Sequence, residues 1–410
     1  MAHGSPVRAS SEWGMTPYRT LPLWPATLLA VIVLTLSACG GGDSPSTPVP
    51  IVPGVANAGQ LKDATPVNTV TLADLTAAVG AAGSKLPGAV PRYAVTSWRL
   101  TYVTSDGFGR EVIASGLVSV PVKPDGARSP VLSYQHATIY KDAQAPSNQV
   151  AATEPPVVLA SLGYIVVAAD YVGYGASRGS QHPYLLATPS AAAVLDLLTA
   201  ARTWRQSRSL NDNGQLFLLG YSEGGYTTLA AHRAMQTSAS PHLAQLIASI
   251  PGAGPYHVGV TLDAQLQRVR DENAALAALV SPGQLGKQGT LVRNEVRRLI
   301  LRLVIPDDAD VTFQSTFLDN FLADDTAAIE RDSNVHDWKP AAPIRLFHGR
   351  DDQTVPYLAS TRTLQAMQAR GAGSTVTLTD CNATPASHTG CVVPYFNHAL
   401  GQLAPLARDL

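Results

Sequence analysis

The sequence predicts an α/β architecture: a mostly parallel central sheet, helices on both faces, and a helical cap inserted before the penultimate strand. Three observations carry this. From residue 95 onward apolar runs alternate with helical patterns, as expected of parallel strands joined by crossover helices. The central runs, such as "GYIVVAADYVGYG" and "QLFLLGYS", are nearly continuous in Val, Ile and Leu, the pattern of strands buried on both faces. Residues 258 to 338 then carry apolar side chains at helical spacing with hardly any strand signal.

The elements follow in chain order. "LPLWPATLLAVIVLTLSAC" (21–39) is an apolar run preceded by Arg19 and closed by small residues around a cysteine, the layout of an export signal. Residues 1–38 are therefore expected to be a signal peptide, with Met1 or Met15 as its start. "GGGDSPSTPVPIVPG" is too rich in Gly, Pro and Ser to bury a core, so residues 39–60 read as a flexible tether. The first part of the core, 61–257, opens with a hairpin region, "SWRLTYVTS" and "REVIASGLVSVP". It continues through strands "SPVLSYQHA", "GYIVVAADYVGYG", "QLFLLGYS" and "LAQLIASIPGAG", with helices over 189–204 and 223–236. The cap, 258–338, includes "DENAALAALV" and "LVRNEVRRLILRLV". The second core part, 339–410, holds strands "APIRLFHG" and "STVTLTD" around a helix over 357–371.

Composition narrows the function. The 410 residues are 45% apolar and 14% charged with a net charge of −1, enough for a large core and without the basic surplus that nucleic acid partners need. Cys39 ends the signal, leaving Cys381 and Cys391. In an exported chain a disulfide is the expected state of such a pair, and no cluster of ligands at metal-binding spacing is evident.

The chemistry concentrates at "LLGYSEGGYTTLA". A strand ends, Gly220-Tyr221-Ser222-Glu223-Gly224 turns, and a helix begins. Small residues on either side permit a sharp turn that exposes the Ser222 hydroxyl, and the helix start offers amide donors for developing negative charge. A serine hydroxyl needs a base, and the base needs an orienting acid. "LFHGRDDQTVP" supplies Asp351 and Asp352 at a strand end. "TLTDCNATPASHTGCVVPYFNHALGQL" supplies two histidines: His388, in a small-residue loop inside the Cys381–Cys391 ring, and His398, in an apparent helix. The ring would limit the freedom of His388 and makes it the favoured base, with His398 a packing or surface residue. For the oxyanion, one donor is expected from the Glu223 amide and a second from the loop at His136, Ala137 and Thr138. His136 and Asp170 read as structural.

Taken together, the elbow, "HGRDDQTVP", "YQHAT" and "DYVGYG" resemble the α/β-hydrolase superfamily, in this order over roughly residues 95–405. The family form H-G-x-x-D-x-x-V-P implies Asp352 as the acid and leaves Asp351 facing solvent or Arg350. Many relatives have glycine where Ala137 stands, so the identity of the second donor stays open. "SIPGAGPYHV" and "NVHDWKPAAPIRLFHG" resemble the secretory-lipase branch. That resemblance implies a lipase or esterase using Ser222, His388 and Asp352 with no metal or organic cofactor. "LSAC" (36–39) resembles the bacterial lipobox, which implies lipidation of Cys39 and a cell-envelope location. With Gly40 as the next residue, the outer membrane is the implied destination. A small-molecule or lipid-like ester is the expected partner. A serine peptidase of the prolyl-oligopeptidase type and a non-catalytic binding lipoprotein are the alternatives.

Overall fold

The computed structural model describes residues 55–410. The predicted signal, Cys39 and most of the tether lie outside the described residues. Residues 55–60, assigned above to the tether, form a turn in which Gly59 N–H donates to the Val103 carbonyl at 2.9 Å, so ordered chain begins before residue 61.

Among the described residues nine strands form one sheet: β1 (Leu61–Val70), β2 (Val95–Ser105), β3 (Glu111–Pro121), β4 (Ser129–Gln135), β5 (Ile165–Ala169), β6 (Asp212–Tyr221), β7 (Leu246–Gly252), β8 (Ile344–His348) and β9 (Val376–Asp380). Their order is β1-β2-β3-β5-β4-β6-β7-β8-β9. β1 to β3 pair antiparallel, β3 joins β5 antiparallel, and every pairing from β5 to β9 is parallel. Among the described residues eleven helices surround the sheet: α1 (Leu72–Gly80), α2 (Pro155–Ser161), α3 (Ala187–Ser207), α4 (Glu223–Thr237), α5 (Val258–Glu272), α6 (Ala274–Leu279), α7 (Thr290–Val304), α8 (Thr316–Leu322), α9 (Thr326–Ala328), α10 (Tyr357–Ala369) and α11 (Val392–Leu403).

Burial on both faces explains the continuous apolar runs. Along β6, Phe217 and Leu219 join the core beneath α1, α2 and α11, while Leu216 and Leu218 join the one beneath α3 and α4. Successive side chains point to opposite faces, so a strand covered twice can carry no polar alternation. α3 is fixed across the antiparallel end of the sheet by Trp204 against Trp98 (5.0 Å between rings) and by Tyr102 Oη donating to the Ala193 carbonyl at 2.7 Å.

β1, α1 and α2 left little trace in the sequence. β1, "LKDATPVNTV", buries only Val70 and is held by its ladder to β2 with two register shifts. An edge strand that buries nothing has no hydrophobic period to read. α1 is a short helix of nine residues, capped by Thr71 Oγ1 accepting from Asp74 N–H. α2, "PPVVLAS", is buried on all sides, and a helix with no polar face shows no amphipathic pattern.

The order of the strands places the site. β4 lies between β5 and β6, so the chain leaves it first to one side and then, through α3, to the other. At such a reversal the loops after neighbouring parallel strands separate and leave a crevice at their carboxyl ends. The loop after β4 and the turn after β6 open there. The segment 258–338 is helical, as expected, and returns over the loops after β4 and β5: Asp310 N–H donates to the Tyr140 carbonyl at 3.0 Å, and His182 N–H to the Thr312 carbonyl at 2.8 Å.

Candidate active site

The turn after β6 is the sharpest feature of the site. Ser222 has φ 59° and ψ −122°, a region L-residues rarely occupy, and its N–H is anchored on the Gly252 carbonyl at 2.8 Å. Gly224 makes the turn possible. A Cβ there would lie 2.1 Å from the Gln135 carbonyl oxygen, so the start of α4 packs directly on the end of β4.

His388 reaches this serine from the loop between β9 and α11. Its Nε2 is 2.9 Å from Ser222 Oγ and its Nδ1 is 2.6 Å from Asp352 Oδ2. A carboxylate can only accept, so Nδ1 carries the hydrogen and Nε2 presents its lone pair to the serine hydroxyl. Asp352 is 4% exposed, a costly place for a charge unless it is fully bonded. Its Oδ1 accepts from the Thr354 and Val355 amides at 2.9 and 2.8 Å, and its Oδ2 also accepts from His348 Nε2 at 3.1 Å. Burial by itself would raise the pKa, but charge and hydrogen bonds from His388 and His348 hold the carboxyl well below the usual carboxylate range.

His348 and Tyr221 belong to the site although sequence reasoning gave neither a role. His348 Nδ1 accepts from Ser360 Oγ at 2.7 Å, which leaves its Nε2–H for Asp352. It opens the "HGRDDQTVP" segment, and that position was the signal available. Tyr221 Oη donates to the His388 carbonyl at 2.8 Å, and its ring lies tilted against the imidazole, 5.3 Å between rings.

The expected Cys381–Cys391 disulfide is present and closes the ring that contains His388. Asp351 is exposed, as expected, and its Oδ2 also accepts from the Ala386 amide at 2.8 Å, inside the His388 loop. Arg350 is drawn instead to Asp380, Nε to Oδ2 at 2.8 Å, so Asp351 is left to satisfy a backbone donor. His398 lies on α11 against the Phe347 ring at 5.1 Å.

The loop after β4 presents the candidates for the second donor. His136 Nδ1 donates to the Ala137 carbonyl at 2.8 Å, and Tyr171 Oη donates to the His136 carbonyl at 3.2 Å. In a trans peptide the carbonyl and the following N–H point opposite ways, so these bonds fix the amides of Thr138 and Ala137 respectively. Glu223 is the first residue of α4, and an amide in a helix's first turn has no partner within the helix. Asp170 is buried and accepts from Ser115 Oγ, Ser147 N–H and Ser147 Oγ, a structural clamp. Among the described residues no group of three or more His, Cys, Asp or Glu could hold a metal ion. A cavity of about 560 Å³ between α5 and α10, lined by His257, Asp263, His336 and Arg362 among others, includes none of Ser222, His388 or Asp352.

The secretory lipase family matches this chain over residues 149–278. No curated protein shows significant sequence similarity to it. Among solved structures, it is similar to the rice cell wall degrading esterase LipA from Xanthomonas oryzae, at 25% identity and a TM-score of 0.64, covering 86% of this chain and 100% of that one. It is also similar to Candida antarctica lipase A, at 17% identity and a TM-score of 0.51, covering 81% of this chain and 78% of that one. The fold is that of the α/β-hydrolases.

Proposed function

We propose that this α/β-hydrolase-fold chain is a serine carboxylic-ester hydrolase that works through an acyl-enzyme. The observation that carries the reading is the continuous chain from Ser222 Oγ through His388 to Asp352, centred on a serine held in a strained turn. Ser222 Oγ attacks the ester carbonyl as His388 Nε2 takes its proton, and Asp352 stabilises the imidazolium. The oxyanion is received by the Glu223 amide and by an amide of Ala137 or Thr138. His388 then protonates the departing alkoxide, leaving the acyl group on Ser222. Water, deprotonated by the same imidazole, adds to the acyl carbon, and collapse releases the carboxylic acid and restores the serine. The likeness to an esterase and a lipase favours esters over peptides as substrates.

We further propose that the mature chain is tethered to the cell envelope, outer membrane included, by lipid on Cys39. The lipobox-like "LSAC" and the Gly/Pro/Ser-rich segment after it support this. A Cys39→Ala variant should then leave the membrane fraction.

The test of the catalytic reading is covalent labelling by a fluorophosphonate together with hydrolysis of p-nitrophenyl esters and of peptide anilides. Ser222→Ala should abolish the label and lower kcat by about 10⁶-fold. A folded protein that takes no label is a binding protein, and the enzyme assignment fails; faster cleavage of anilides than esters would make it a peptidase.

A further inference from the structure

The residue after the nucleophile has a side chain for which the mechanism above has no use. Glu223 is 2% exposed, and its Oε1 lies 2.7 Å from Nε2 of His182, equally buried. The other ring nitrogen of His182, Nδ1, is 2.9 Å from the Val172 carbonyl oxygen. A carbonyl only accepts, so Nδ1 carries a hydrogen; in a neutral imidazole Nε2 would then show a bare lone pair. Two lone pairs cannot face each other at 2.7 Å, so the contact requires one further proton, on Nε2 or on Oε1. In either arrangement the pair is neutral overall.

Its surroundings suit a neutral pair. Tyr171, Tyr174, Tyr184 and Phe313 pack around the His182 ring with centroids 5.1 to 6.0 Å away, and Glu223 Oε2 has no hydrogen-bond partner. An uncompensated carboxylate in such a site would be far more expensive than one that shares a proton. His182 also bridges to the helical insertion through its backbone. Its N–H donates to the Thr312 carbonyl, and its carbonyl accepts from Gln314 N–H, both at 2.8 Å. One histidine thus joins the insertion to the first residue of α4.

We propose that Glu223 and His182 are a positioning pair, held by a single shared proton, that fixes the oxyanion-donating residue and locks the insertion onto the nucleophile turn. The inference rests on the esterase reading, in which the Glu223 amide receives the oxyanion. Neither side chain touches the reacting atoms. Their effect is on how the amide is aimed, which matters at the tetrahedral stage and little when the ester first binds, so it falls on kcat rather than KM.

The test compares kcat and KM of the full-length protein with its Glu223→Leu, His182→Phe and Glu223→Gln variants on p-nitrophenyl butyrate. Leucine and phenylalanine remove the bond, and each is expected to lower kcat about tenfold to a hundredfold while KM moves less than about threefold. Glutamine can donate its amide N–H to a neutral Nε2, needs no shared proton, and should recover most of that loss. In a Ser222→Ala background, the proton spectrum should show a strongly downfield hydrogen-bonded resonance besides that of His388–Asp352, lost in Glu223→Gln. The proposal is overturned if the folded leucine and phenylalanine variants keep kcat within about twofold, or if no resonance responds to Glu223→Gln. A protein that hydrolyses no ester but keeps that resonance would sink the catalytic reading and leave the shared proton standing.

Discussion

Replacing Cys381 and Cys391 together by serine opens the ring that carries His388, and the cost can be worked out. The bridge spans 10 positions, and closing a loop of that length removes chain entropy from the unfolded state equivalent to about 2.7 kcal/mol at 25 °C. In a domain of this size that corresponds to a fall in melting temperature of about 3 to 4 °C. Catalysis should suffer as well, because only weaker ties then hold the imidazole. Besides the imidazole's own bonds to Asp352 and Ser222, those ties are Tyr221 Oη on the His388 carbonyl and the paired bonds between Asp351 and Ala386, Ala386 N–H to Oδ2 at 2.8 Å and Asp351 N–H to the Ala386 carbonyl at 3.2 Å. Each such bond contributes about 1 kcal/mol net, enough to keep the loop near its place but not to replace a covalent bridge. We expect kcat on p-nitrophenyl esters to drop about tenfold, since a displacement of the base by a fraction of an ångström misaligns proton transfer. Calorimetry and steady-state kinetics on the purified double variant measure both. An unchanged melting temperature with full kcat would refute the reasoning: it would mean that the noncovalent contacts already fix the loop in the unbridged chain.

Two further perturbations test the electrostatics. Asp352→Asn should lower kcat by about 10³ to 10⁴-fold, because an amide no longer enforces the Nδ1–H tautomer of His388; retention of kcat would exclude Asp352 as the orienting acid. Since the folded carboxyl lies below its unfolded value, the stability it adds is present above about pH 4 and is lost only as pH falls through the depressed value. Asp196 behaves in the opposite sense. Burial beside the sheet pushes its carboxyl up to about 6 despite a bond from Thr104 Oγ1 at 2.7 Å. The folded state then holds a proton that the unfolded chain has lost, so stability falls as pH rises from about 4 to about 6. Asp196→Asn should remove that slope and add up to about 3 kcal/mol at neutral pH, read as a denaturation midpoint series. A slope unchanged in the variant would show that another group is responsible.

How much was legible depended on whether a feature sits in contiguous residues. Ser222 was readable because strand, glycines and helix stand side by side in "LLGYSEGGYTTLA", so the turn's requirements lie within a dozen residues. The choice of Asp352 over Asp351 came from resemblance, and the geometry gives a reason for two acids: Asp352 faces two histidines, while Asp351 holds the Ala386 amide in the loop that carries one of them. Asp351 is exposed, as its charge suggests, but nothing local to it announces the backbone donor 35 positions away that it also holds. β1 was missed for a different reason: it is held by ladder bonds to β2 and buries almost nothing, so hydropathy cannot mark it.

By itself, then, the sequence determined the succession of strands and helices, the helical character of 258–338, the turn at Ser222 and the pair of cysteines. These follow from hydrophobic period, from glycine next to serine, and from two cysteines ten positions apart, all of which act through near neighbours. Only the tertiary structure decided that β5 and β6 flank β4, that the Gln135 carbonyl abuts Gly224, and that Glu223 meets His182. Contacts of this kind depend on which distant groups the sheet order brings into one crevice. A buried carboxylate takes whichever donor the packing leaves within reach, and no local pattern encodes that donor.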